Sequence, residues 1–163
     1  MTTDTPALPV TVIGGYLGAG KTTLVNHLLR QANGVRLAVL VNEFGELAID
    51  EDLIEAEDDA LISIAGGCVC CSFGSDLTGA LLEMAKMQPR PDHLLIESSG
   101  VAIPSAIVGS VSLLDGFRVD GIVIVADGET LQRNANDKYM GDTVLRQIND
   151  ANIIVLNKTD LLD

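Results

Sequence analysis

Basic residues are scarce in this chain: 10 Lys and Arg stand against 23 Asp and Glu over 163 residues, a formal net charge of −13. Binding a phosphate backbone needs clustered Lys and Arg, so nucleic acid is not an expected partner. Cysteine is nearly absent. The three that occur are Cys68, Cys70 and Cys71; a disulfide framework needs spaced pairs, so a reducing, cytoplasmic compartment is expected. No apolar run is long enough to span a bilayer, and Met1-Thr2-Thr3-Asp4 lacks the basic start of a signal peptide, so no membrane association is expected. Internal repeats, low-complexity tracts and interdomain linkers are missing too. What remains is 47% hydrophobic and 20% charged, which suits one globular domain with a core and argues against disorder.

Short apolar runs recur with helical stretches between them. Leu8–Ile13 reads as a strand and Thr22–Asn33 as a helix, with Leu24, Leu28 and Leu29 on one face and Gly34 as its stop. Further strands are expected at 37–41, 61–64, 94–96, 122–125 and 153–156, and helices at 77–87, 105–114 and 130–149. Several apolar runs are continuous, as in strands covered on both faces. The alternation predicts an α/β fold, a mostly parallel sheet with helices on both faces. Two stretches stand outside it: residues 50–59, rich in Asp and Glu and read as a solvated loop or helix face, and Gly66-Gly67-Cys68-Val69-Cys70-Cys71 after a strand.

Gly15-Tyr16-Leu17-Gly18-Ala19-Gly20-Lys21-Thr22 matches G-x-x-x-x-G-K-[ST] between the first strand and the first helix. Glycines let the backbone curl so that successive N–H groups face phosphate oxygens, and the helix start adds the positive end of its dipole. Gly15, Gly18, Ala19, Gly20, Lys21, Thr22 and Thr23 are therefore expected to bind nucleotide, Lys21 at the β- and γ-phosphates and Thr22 at Mg²⁺. The strand 94–96 runs into Glu97-Ser98-Ser99-Gly100, where an acid can hold the Mg²⁺ shell and the Gly100 N–H can meet the γ-phosphate. Lys21, Glu97 and Gly100 are the expected catalytic residues. The last strand ends in Asn157-Lys158-Thr159-Asp160, an N-K-x-D pattern. A carboxylate at its last position can accept two hydrogen bonds from guanine, whereas adenine offers no such donor pair, so GTP is favoured over ATP.

Taken in order, Gly14–Thr23, Asn42-Glu43-Phe44-Gly45-Glu46, Gly66–Cys71, Glu97–Gly100 and Asn157–Asp160 resemble the CobW-type P-loop GTPases, a family associated with metal delivery, zinc homeostasis and cobalamin synthesis. The resemblance covers nearly the whole chain. It implies that Asp160 reads guanine, that Asn157 holds the loop and base, and that the Lys158 stem lies along the base. It also makes Asp50 a candidate Mg²⁺ ligand and Glu46 a candidate ligand for a transported metal. Family members usually carry a further C-terminal domain, so residues 1–163 are expected to be the GTPase domain without it. An arginine common in the family shortly after the cysteines has no counterpart in Ser72–Asp76, which removes one source of positive charge at the hydrolytic transition state.

In an extended segment Cys68 and Cys70 face one way and Cys71 the other, and a turn at the glycines would bring all three together. Three thiolates are one short of a closed tetrahedral site, which suits transfer; Glu46, His93, water or a partner's group would complete the shell. Soft thiolates favour Zn²⁺ or Cu(I), with Co²⁺ also compatible. The plainer reading is three buried, inert thiols. The function expected is a slow GTPase whose cycle, with GTP or GDP bound, gates delivery of a transition metal to a client metalloprotein. Its alternative is a metal- or partner-binding module that uses GTP as a ligand with negligible turnover. An ATP-dependent kinase is a third reading, opposed by Asp160.

Overall fold

The computed structural model describes residues 5–42, 49–58, 61–73 and 75–162. Its eight strands are β1 (Leu8–Gly14), β2 (Leu37–Val41), β3 (Ile54–Asp58), β4 (Leu61–Ile64), β5 (Cys68–Ser72), β6 (His93–Glu97), β7 (Phe117–Asp127) and β8 (Ile153–Asn157). Between them lie the helices α1 (Lys21–Arg30), α2 (Leu77–Lys86), α3 (Pro104–Ser112), α4 (Leu131–Ala135) and α5 (Gly141–Asp150). The strands form one sheet in the order β3-β4-β5-β2-β6-β1-β7-β8. From β5 to β8 every pairing is parallel, while β3 and β4 add an antiparallel edge.

Both sheet faces are covered, which is why the central strands read as unbroken apolar runs. On one face Val25 and Leu29 of α1 pack with Ile13, Val39, Val41, Leu95, Cys68 and Cys70. On the other, Leu81 and Met84 of α2 and Val111 of α3 pack with Val10, Leu40, Leu94 and Ile96. Strand β6 lies between β2 and β1. That insertion sets the carboxyl end of β6 beside the loop leaving β1, with Ile13 opposite Glu97.

Three local expectations need correction. The 130–149 helix is two helices, because Asp137 Oδ1 accepts from the N–H groups of Tyr139 (2.7 Å) and Met140 (3.1 Å), and this Asx turn interrupts the helical ladder. The cysteines do not leave a strand; they form one. Gly66 (φ 79°) and Gly67 (φ 82°) reverse the chain in a tight turn, so β4 and β5 make an antiparallel hairpin. The described part of the acidic run is a short 3₁₀ turn followed by β3, the edge strand, with Glu55 and Glu57 exposed, where charge discourages edge-to-edge pairing. Among the described residues no helix is long and apolar enough to cross a membrane.

Candidate functional site

The loop between β1 and α1 is shaped by its glycines. Gly15, Gly18 and Gly20 have φ of 140°, 74° and 109°, a region that costs any side chain strain. Gly20 also lacks room: a Cβ there would overlap Nδ2 of Asn157. The loop delivers the chain into α1, whose first-turn N–H groups have no partner within the helix and carry the positive end of its dipole. An open cleft of about 310 Å³ sits there, lined by Leu17, Gly18, Gly20, Lys21 and Thr22 on one side and Glu97, Ser98 and Gly100 on the other.

Lys21 is buried, and its ammonium donates to the carbonyls of Gly15 (2.9 Å) and Tyr16 (3.4 Å). Thr22 Oγ1 donates to Glu97 Oε1 at 3.1 Å across 75 residues of sequence. A hydroxyl and a carboxylate at this separation are hard oxygen donors of the kind Mg²⁺ takes, so the residues fit that ion. Ser98 is held by its N–H and its hydroxyl, both donating to Ile13 O (2.9 and 3.2 Å).

The turn after β8 docks directly onto the glycine-rich loop. Asn157 Nδ2 donates to Ala19 O (3.0 Å), and Lys158, itself at φ 57°, donates to Gly18 O (2.8 Å) and to Asp127 Oδ2 (2.7 Å). Asp127 ends β7 opposite Asn157, and its other oxygen accepts from the N–H groups of Glu129 and Thr130. The Lys158 ammonium holds the Asp127 carboxyl below the usual carboxylate range, with the two N–H donors adding to the effect. The sequence reading missed Asp127. Its signal was there: an acid at the carboxyl end of an apolar strand. Asp160 stays exposed on the short 3₁₀ turn that follows, and Thr23 is exposed on the first turn of α1.

Two expected residues do not join this group. Asp50 pairs with Arg30 (2.6 Å), and Asp50 N–H donates to Asn26 Oδ1 (3.1 Å). Arg30 is two turns beyond Thr22, about 12 Å along the helix. Glu46 lies outside the described residues.

The cysteines divide by strand geometry. Cys68 and Cys70 are buried against the α1 face, and Cys71 joins the α2 face. Cys68, at the amino end of β5, accepts from Leu37 N–H (3.4 Å) and donates to Val35 O (3.6 Å). Burial, with Cys71 and the Glu97 carboxylate nearby, pushes the Cys70 thiol up to about 12; burial raises Cys71 as well. His93 shares a 2.8 Å hydrogen bond with Thr11. Among the described residues no three His, Cys, Asp or Glu side chains are gathered as a metal would need. The turn expected to collect the three thiols is instead spent on the β4–β5 hairpin.

A glycine-rich loop between the first strand and a helix, at the carboxyl edge of a mostly parallel sheet covered by helices, defines a P-loop nucleotide-binding domain. Residues 9–163 match the family model described as the CobW/HypB/UreG nucleotide-binding domain, and the chain belongs to that family. It is 34% identical to "Zinc chaperone CobW" of Sinorhizobium sp, over 96% of this chain and 52% of that protein. It is likewise 34% identical to "Zinc-regulated GTPase metalloprotein activator 1" of Dictyostelium discoideum, over 95% of this chain and 40% of that one. The crystal structure of Zn(II)-bound YjiA GTPase from E. coli superposes with a TM-score of 0.76 at 29% identity, covering 96% of this chain and 51% of that one. The chain thus spans about half the length of the curated relatives it matches.

Proposed function

We propose that the chain is a GTP-binding and GTP-hydrolysing metallochaperone that couples Mg²⁺-dependent GTP hydrolysis to uptake or delivery of a transition metal, zinc before cobalt, for a client metalloprotein in the cytoplasm. The observation that carries the nucleotide half is the junction of Asn157 and Lys158 with Ala19 O and Gly18 O. It ties an N-K-x-D turn to a phosphate-sized loop, so that a base and its phosphates are held by one unit. The names of the relatives support the metal half.

Within this reading the Gly15–Thr23 backbone and the α1 N-terminus receive the phosphates, and Lys21 turns from the Gly15 and Tyr16 carbonyls to the β- and γ-phosphate oxygens. Thr22 and Glu97 hold Mg²⁺, which when bound neutralises charge growing on the phosphate oxygens. Gly100 approaches the γ-phosphate, and Asp160 accepts from guanine. Hydrolysis joins a water oxygen to the γ-phosphorus and breaks the bond to the β,γ-bridging oxygen. The described residues lining the cleft include no Arg, Gln or His, so turnover is slow.

Zinc is the cargo, taken by Cys70 and Cys71 with Cys68 and Glu46 as further candidates. Strand β2 supports a link to the nucleotide: Val41 pairs with both Ser72 and Glu97, leaving Cys71 one residue short of that edge and two strand spacings, about 10 Å, from β6. Gathering the thiols requires the end of β5 to rearrange, since Cys70 and Cys71 face opposite sides of the sheet. The test is Zn²⁺ affinity with GDP and with a non-hydrolysable GTP analogue, on the wild type and on Cys68→Ser/Cys70→Ser/Cys71→Ser. A coupling of about 5–150-fold, lost in the triple variant, is expected. Equal affinities in both nucleotide states refute gated delivery, and no phosphate release with any metal favours the binding-module alternative.

A further inference from the structure

We propose that Gln147 is a positioning residue that makes the site discriminate a nucleoside triphosphate from a diphosphate; the inference rests on the nucleotide reading above. Gln147 sits on α5, a helix that carries none of the motifs, yet the residue is only 1% exposed. A buried amide is costly unless its donors find acceptors. Gln147 Nε2 donates to Gly100 O and to Ala102 O, both at 3.0 Å. One turn on, Asp150 Oδ2 accepts from Ser105 N–H at 2.9 Å. Positions 147 and 150 are three apart and share a helix face, so one face of α5 grips the run that leaves Glu97-Ser98-Ser99-Gly100.

Gly100 is confined from the other side as well. A Cβ on it would stand 2.8 Å from the Leu17 N atom and overlap the Leu17 side chain. The segment is therefore seated between the glycine-rich loop and Gln147, and Gly100 lines the same cleft as Lys21, Thr22 and Glu97. The Gly15–Thr23 loop alone can hold the phosphates of a diphosphate. On the nucleotide reading the Gly100 N–H meets the γ-phosphate, which only a triphosphate carries. A residue that fixes Gly100 but touches no phosphate should then act on triphosphate affinity and leave diphosphate affinity alone.

The experiment measures affinity for GDP and for a non-hydrolysable GTP analogue by calorimetry on the wild type, Gln147→Met, Gln147→Asn and Ile148→Val. Gln147→Met keeps the length and removes both donors. Gln147→Asn keeps the amide one methylene short of the two carbonyls, and carries the same expectation if the Met variant does not fold. Ile148 packs into the core beside Gln147, so Ile148→Val lowers stability without altering the hydrogen bonds. We expect the Gln147 variants to lose about tenfold in affinity for the analogue, the scale of one to two hydrogen bonds. GDP affinity should stay within about twofold, and Ile148→Val should leave the ratio unchanged. An unaltered ratio in the Gln147 variants, or a matching shift of the ratio in Ile148→Val, overturns the role of Gln147 while the nucleotide reading stands. A wild type that binds neither nucleotide brings down both.

Discussion

Substituting Gly20 by alanine tests the junction between the glycine-rich loop and the Asn157 turn. Gly20 has φ 109° and ψ 24°, a conformation that costs a residue with a Cβ about 1–2 kcal/mol. The new methyl would also overlap Asn157 Nδ2, expelling the amide from its 3.0 Å bond to Ala19 O at a further cost of about 1 kcal/mol. Gly18 is the control, because its φ is 74° and a Cβ there meets nothing within 4 Å; Gly18→Ala should lose only the backbone strain. We expect Gly20→Ala to be destabilised by about 2–3 kcal/mol, about 1 kcal/mol more than Gly18→Ala. The chain has no tryptophan, so urea unfolding should be followed by far-ultraviolet circular dichroism. A double-mutant cycle sharpens the test. If Gly20→Ala already breaks the Asn157 bond, Gly20→Ala/Asn157→Ala should be no less stable than Gly20→Ala, and the two changes should fail to add by about 1 kcal/mol. Strict additivity, or equal losses at positions 18 and 20, would refute the argument that Asn157 occupies the space beside Gly20.

Asp160→Asn should weaken GTP and improve xanthosine triphosphate, since the donor–acceptor pattern is exchanged at one edge of the base; competition binding that leaves GTP preferred removes Asp160 as the guanine reader. Asp127→Asn should destabilise the Lys158 turn in a pH-dependent way. The folded carboxyl titrates below its ordinary 3.8, so its contribution is present above that value and lost as the pH falls through the folded one. The stability gap to wild type should therefore be flat from about pH 5 to 8 and close below about pH 4, and a gap that grows on acidification contradicts the ion pair. Because the Cys70 thiol is raised to about 12 and Cys71 is raised as well, zinc uptake at neutral pH should release about one proton per thiolate bound. Calorimetry in buffers of different ionisation enthalpy reads that release, and heats independent of buffer would exclude Cys70 and Cys71 as ligands.

The glycine-rich loop, the alternating strands and helices, and the N-K-x-D turn were legible in the amino-acid order because each is local. Its chemistry depends on residues a few positions apart on one turn or strand. The Asx turn at Asp137 and the Gly66-Gly67 hairpin were also written locally, but they compete with helical and strand-exit readings of the same residues. Tertiary structure decided which distant pieces meet. Inserting β6 between β2 and β1 brings Glu97 to Thr22 across 75 residues, and adding β8 at the far edge brings Asn157 to Ala19 across 138. It also turned Asp50 toward Arg30 and buried Gln147 against Gly100. None of these follows from spacing along the chain. Strand order and helix docking are chosen by the burial of whole apolar faces, and a polar side chain's partner is whatever acceptor that burial leaves within reach.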